Sequence, residues 1–200
     1  QGHTISGLYV NDPEATRVGL FGSTSDTGTI KNVGVIDSYF YGDEYVGGIS
    51  GSNDSTITNC YSICSVNGNS RVGGICGYNP CGKINNCFSA GTVSAESKFG
   101  GVCGYNYEDI TNCYYDSDVF SGPAIGLDYG TVSNVAGWTT EQFASGKAAY
   151  IFNGDQSVIV WGQEIGVDKL PVLGGMQVYA TTGCVTYSND PAKVGAKAHD

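Results

Sequence analysis

"VGGICGYNPCGKINNCFS", Val72 to Ser89, has a near-copy on each side. Upstream, "VGGISGSNDSTITNCYS" begins at Val46, and downstream "FGGVCGYNYEDITNCYY" begins at Phe99. Aligned, the copies give a nearly evenly spaced column of Ile30, Ile57, Ile84 and Ile110. Just beyond it stands a column of Asn32, Asn59, Asn86 and Asn112, followed by Val33, Cys60, Cys87 and Cys113. The Gly ending each "GG-x-x-G" block falls at Gly22, Gly51, Gly77 and Gly104. An earlier, partial copy reads "HTISGLYV", with Ile5 lying close to one period before Ile30.

A fixed period of this size marks a solenoid, a propeller or a helical array. A unit full of Gly, Ser, Thr, Asn and β-branched residues is not a helical repeat, and a propeller blade needs ~40–45 residues. The expected fold is therefore mainly β: a β-solenoid of about five coils of ~27 residues, stacked ~4.8 Å apart into a rod roughly 20–25 Å long, with a small mixed α/β C-terminal cap. Stacked Ile fills the interior, joined by Val18, Val46, Val72 and Phe99. Each Asn sits where side-chain alternation changes parity, so a corner there would let the amides bond to their equals above and below. The Gly pairs fit corners or close backbone approach.

Composition agrees. Glycine supplies 31 of the 200 residues, whereas charged residues are only 14%. The net charge is −10 and the nine Lys and Arg are scattered singly along the chain, which argues against nucleic acid or an anionic membrane as partner. No apolar run approaches the ~20 residues needed to span a bilayer. The chain opens on Gln1 without a signal peptide, as a processed protein or an excised fragment would.

The repeat resembles the GLUG motif, a glycine-rich repeat of bacterial surface and secreted proteins, including some immunoglobulin A peptidases. The likeness is carried by "VGGISG…TITNCYS", "VGGICG…KINNCFS", "GGVCG…DITNCYY" and the looser "VGLFG…TIKNVGV", across roughly residues 1–118. It implies a bacterial extracellular or cell-surface location. In the peptidases such repeats accompany the catalytic domain and are not themselves the protease.

After Asp118 the period stops. Residues 119–190 read as a capping region, because a solenoid's last coil leaves unpaired strand edges and half a core. Within it, "TTEQFASGKAAYIFN", Thr139 to Asn153, predicts one helix, with Thr139 as N-cap, Gln142 completing a capping box and Gly154 as stop. "SVIVWGQ" and "MQVYATTGCVTYSN" are strand candidates, and residues 191–200 form a polar, flexible tail.

Eight cysteines bear on chemistry. Cys60, Cys87 and Cys113 share one column and Cys76 and Cys103 another, close enough on adjacent coils for bridging. Three stacked cysteines cannot all pair within their column, so free, buried thiols compete with disulfides as the reading. Cys64, Cys81 and Cys184 belong to no column. Zinc is disfavoured, because no paired C-x-x-C is present and the only histidines, His3 and His199, stand at opposite ends. No cofactor is expected.

For catalysis on polysaccharides, two carboxyls must face one groove. Asp43-Glu44, Glu108-Asp109 and the pair Asp116 and Asp118 are the candidates, and none has an acidic partner at its level on the next coil. Asp116 and Asp118 are also weak calcium candidates. The aromatic columns are sharper. Tyr61, Phe88 and Tyr114 follow the Asn-Cys pair and alternate against the cysteines, while Tyr78 and Tyr105 form a second short column. Rings exposed in a row beside Asn amides would stack on sugars, whereas the bland readings are cross-strand pairing, cover by the cap, or aromatics as the inward set with the cysteines exposed. The expected function is a non-catalytic extracellular bacterial module, an adhesin-like stalk or contact surface for glycan or host protein. The alternatives are a purely structural spacer or self-associating surface subunit, and a polysaccharide-degrading β-helix enzyme.

Overall fold

A computed structural model describes residues 2–154, 158–181 and 186–193. Cys184, His199 and the end of the polar tail lie outside the described residues. The chain divides into two compact units, His3–Trp138 and a second unit that groups Gly2 with the described residues from Thr139 onward.

The first unit is a β-solenoid built from stacked parallel strands. Strands β1 (His3–Ser6), β2 (Tyr9–Asn11), β3 (Thr16–Val18) and β4 (Phe21–Ser23) make the first coil. On it lie β5 (Thr29–Lys31), β6 (Val33–Gly47) and β7 (Ser50–Ser52), then β8 (Thr56–Thr58), β9 (Tyr61–Gly73) and β10 (Cys76–Asn79). The next level is β11 (Lys83–Ser89), β12 (Thr92–Ser94), β13 (Ser97–Gly100) and β14 (Cys103–Asn106). Strands β15 (Ile110–Asp116), β16 (Ile125–Asp128) and β17 (Val132–Trp138) finish the stack.

Strand register follows the sequence columns. Ile30 pairs with Ile57, Ile57 with Ile84 and Ile84 with Ile110, all four buried. The stack then outruns the visible repeat. Val132 lies level with Ile110, Val135 with Cys113, and Asn134 continues the Asn column, so the solenoid extends through Trp138 and not only to Asp118. The step from Ile110 to Val132 is shorter than the step from Ile84 to Ile110, which is why the period hides this coil. The first coil also departs from expectation: Ile5 pairs with Val35, outside the Ile column, and His3 lies level with Val33. Between β6 and β9 the register shifts at Ile36/Ser38. The extra residue, Asp37, takes φ 48° and is absorbed as a bulge.

Every member of the Asn column turns a corner in the left-handed region, with φ between 50° and 57° at Asn32, Asn59, Asn86, Asn112 and Asn134. Asn tolerates that conformation better than other non-glycine residues. It also bonds along the stack: Asn112 Nδ2 donates to Asn86 Oδ1 at 3.3 Å and Asn134 Nδ2 to Asn112 Oδ1 at 3.0 Å. A second ladder, buried at its three asparagines, runs Asn53–Asn79–Asn106–Asp128 at 2.7–2.8 Å per step.

The Gly-Gly pairs answer to space, not to φ. A Cβ on Gly47, Gly73 or Gly100 would fall 2.2, 2.1 and 2.4 Å from the carbonyl oxygen of Ser50, Cys76 and Cys103. One on Gly48, Gly74 or Gly101 would fall 2.0 Å from Ser62 Oγ, 2.2 Å from Ser89 Oγ and 2.3 Å from Tyr115 Cγ. The same collision recurs in three coils, hence the same dipeptide.

In the second unit the capping box forms as read: Gln142 N–H donates to Thr139 Oγ1 and Thr139 N–H to Gln142 Oε1. The single expected helix is two, however: α1 (Thr140–Ala144) and α2 (Lys147–Asn153), parted at Gly146 with φ 87°. A left-handed residue cannot continue a helix. The strand candidates shrink to two short antiparallel pairs. In one, β18 (Trp161–Gly162) pairs with β19 (Val172–Leu173); in the other, β20 (Tyr179–Ala180) pairs with β21 (Tyr187–Ser188). Phe143, Phe152 and Trp161 form its core, and Asn153 Nδ2 donates to Trp161 O at 2.6 Å.

Candidate ligand-contacting surface

The cysteine column is structural. Cys60, Cys87 and Cys113 are buried free thiols, as are Cys64, Cys76 and Cys103; Cys81 is free and exposed. Their S–H groups donate to carbonyls, Cys60 to Thr58 O at 3.3 Å and Cys87 to Asn85 O at 3.2 Å. The hydrogen bond with Cys87 and then burial push the Cys60 thiol up, and burial does the same to Cys64, Cys76 and Cys87. Thiols held this strongly protonated are poor nucleophiles.

The row of rings at Tyr61, Phe88 and Tyr114 is not an exposed ladder. Their exposures are 7%, 0% and 4%. Tyr61 stacks on Phe88 at 5.2 Å with planes 5° apart, and Tyr114 stacks on Trp138 at 3.9 Å. Glycine at position 34 leaves the room that the Tyr61 ring fills, and the Tyr61 hydroxyl bonds Thr4 Oγ1 at 2.9 Å. Burial pushes the Tyr114 phenol up to about 12. These rings hold coil to coil and present no face to a ligand.

Tyr78 and Tyr105 have a different environment. They pair across β10 and β14 at one level, with ring centroids 5.6 Å apart, and are partly open to solvent. Tyr107 and Tyr129 extend them, stacked at 5.4 Å with planes 20° apart and exposed by 43% and 65%. Tyr45 closes the other side, 5.2 Å from Tyr78. Five tyrosines thus make one surface.

Beside it runs a second corner column: Arg17, Tyr45, Arg71 and Lys98, each just before the inward Val18, Val46, Val72 or Phe99. All four take positive φ, at 62°, 58°, 57° and 52°. The cations lean over the rings. Arg71 lies 5.0 Å from the Tyr45 centroid and 5.6 Å from that of Tyr105, Lys98 lies 5.5 Å from Tyr105, and Arg17 lies 5.9 Å from Tyr45. Arg71 Nη1 also pairs with Glu44 Oε1 at 2.7 Å. The Tyr105 and Tyr107 hydroxyls bond each other at 2.5 Å, and that bond heads the causes that push the Tyr105 phenol up to about 12. The surface therefore offers phenol hydroxyls, flat ring faces and cations.

Sequence reading found Tyr78 and Tyr105 but missed Arg17, Tyr45, Arg71, Lys98, Tyr107 and Tyr129. The signal was present in "RVG", "YVGG", "RVGG" and "KFGG". Cations scattered singly along the chain fold onto one corner because the coil period superposes them.

The carboxylates take other partners. Asp43 Oδ1 accepts from Asn69 Nδ2 at 2.9 Å, and Asp109 pairs with Lys83 at 3.1 Å. Asp116 Oδ1 accepts the Asp118 N–H at 3.0 Å within a turn. Among the described residues no group of three or more His, Cys, Asp or Glu is placed to hold a metal ion. No helix of the described residues is long and apolar enough to cross a membrane.

No family model matches the chain. It is 41% identical over 76 residues to Halomucin of Haloquadratum walsbyi (strain DSM 16790 / HBSQ001), a match covering 38% of this chain and 1% of that protein. In fold it is similar to a crystal structure of a proposed immunoglobulin A1 protease from Bacteroides ovatus. The TM-score is 0.51 at 18% identity, covering 87% of this chain and 64% of that one.

Proposed function

We propose that this chain is a non-catalytic module of an extracellular bacterial protein, whose tyrosine-and-cation surface contacts glycans. The carrying observation is the Arg17–Tyr45–Arg71–Lys98 corner. Left-handed φ disfavours any residue with a Cβ, by on the order of 1–2 kcal/mol, with Asn and Asp the best tolerated, and the other recurring corner uses Asn in every coil. Long side chains kept at four strained positions, all leaning toward the same rings, mark a surface held for its chemistry. Exposed rings offer apolar faces to the C–H faces of sugars, while phenol hydroxyls and guanidinium N–H groups supply hydrogen bonds.

Several observations support a binding role over catalysis. Asp43, Glu44 and Asp109 are each engaged by an amide or a cation. The repeat's resemblance to GLUG repeats of secreted proteins, and the stretch shared with Halomucin, support a place outside the cell. The second reading, a structural spacer, is favoured by the Ile, Asn and Cys ladders, which stabilise coil on coil without any ligand.

A broad glycan array separates them, with Tyr107→Ala/Tyr129→Ala as the matched variant. Both side chains are solvent-exposed and stack mainly on each other, so the variant is expected to stay folded with a melting temperature only slightly below the parent's. Binding by the parent that falls at least ~10-fold in the variant, about 1.4 kcal/mol, is the expected result. A parent that binds nothing on the array leaves the spacer reading.

A further inference from the structure

Resting on that reading, we infer that the surface selects acidic glycans: extended saccharides bearing carboxylate or sulfate groups. A chain of net charge −10 repels anions at long range, yet it places Arg17, Arg71 and Lys98 on one corner column. Among the described residues neither Arg17 nor Lys98 has an ion-pair partner, while Glu44 occupies one edge of Arg71. Two cations flanking a partly neutralised third leave a local anion site bordered by ring faces.

Spacing narrows the ligand class. At ~4.8 Å per coil, Arg71 and Lys98 stand one step apart and Arg17 and Arg71 two steps apart, about 5 and 10 Å. Nucleic acid is bound mainly by neutralising many phosphates with a dense array of cations. The cation column is too sparse for that, and the surrounding negative charge opposes it. Charges borne on successive or alternate sugar rings, with uncharged ring faces between them, fit both the cation steps and the intervening tyrosines. Arg71, held by Glu44 and by two rings, is oriented to offer its remaining N–H groups to a carboxylate or sulfate.

The test titrates the whole chain with hyaluronan octasaccharide (carboxylate only), a heparin-derived octasaccharide (sulfate and carboxylate), cellohexaose (neutral) and a single-stranded oligonucleotide. Each is run at 50 and 200 mM salt on the parent, Arg17→Gln/Lys98→Gln, Glu44→Gln and Tyr107→Ala/Tyr129→Ala. Gln keeps the corner φ as strained as Arg or Lys does, so the double charge variant keeps its backbone. Expected is a preference of about tenfold for an acidic over the neutral sugar, lost in Arg17→Gln/Lys98→Gln and strengthened in Glu44→Gln. Which acidic sugar binds decides between carboxylate and sulfate. Equal binding of neutral and acidic sugars overturns the selectivity and leaves the glycan surface standing. An oligonucleotide that binds as tightly as the sugars overturns it too, reducing the column to a polyanion site. Binding of no sugar removes both readings.

Discussion

At the scale of single residues, the choice of side chain at a left-handed corner decides how well that corner holds. Asn86 takes φ 51° and accepts a hydrogen bond from Asn112. Asn86→Ala should cost about 1–2 kcal/mol, from a lost hydrogen bond of ~1 kcal/mol and the poorer tolerance of Ala for the left-handed region. Asn86→Gly restores the freedom in φ and should cost clearly less. Urea denaturation of both measures it, and equal losses would assign the effect to the hydrogen bond alone. The buried thiols set a second residue-scale expectation. Their folded pKa values are raised, so the folded state keeps protons that the unfolded chain releases above about pH 8.5. Stability from this source is complete below that pH and is lost as pH rises beyond it. Denaturation midpoints measured from pH 7 to 10.5 should fall above pH 8.5, and less steeply in Cys76→Ala/Cys87→Ala. An unchanged slope would mean other groups carry the alkaline loss.

At the scale of elements, each coil is a strand set whose faces close only against a neighbour. The dipeptide Gly73-Gly74 lies where β9 approaches β10 and the next coil, and a Cβ on Gly74 would meet both Gly101 O and Ser89 Oγ at 2.2 Å. A backbone oxygen cannot yield as a side-chain tip can, so Gly74→Ala should destabilise by at least ~1–3 kcal/mol. Thermal and urea unfolding check this; a near-neutral result would mean the coils can separate locally. These elements were legible in the sequence to different depths. The Ile, Asn and Cys columns were readable because a parallel stack places residues one period apart side by side. The coil ending in β17 was not, because its shorter length breaks the period while still matching register. The helix at Thr139 was readable from its capping box, but its interruption at Gly146 was not: a lone glycine in a helical pattern is ordinarily tolerated, and here its φ of 87° ends α1's run.

At the scale of the whole molecule, chemistry concentrates where the coil repeat superposes residues that are remote in sequence. Three of the nine cations, at positions 17, 71 and 98, meet on a single corner beside five tyrosines. The molecule thus carries a net charge of one sign and a local site of the other. That combination favours selective, short-range recognition over indiscriminate attraction to polyanions. It also makes any binding moderately sensitive to salt, through a few contacts and not through many.

From the sequence alone came the stack itself: near-identical coils, an apolar column inside, Asn at one corner and paired glycines at the close approaches. Each of those depends on a residue meeting its own copy, and a period is enough to specify that. Only the tertiary structure decided which aromatic column faces solvent and where the cations gather. Alternation of side chains is reset at every left-handed corner, so inside and outside cannot be counted across a corner without its backbone dihedrals. Counted along the strand, Tyr61, Phe88 and Tyr114 point outward, yet the fold buries them. At the second corner, residues with no turn-forming preference took the strained positions, and that placed their charge against the open tyrosines.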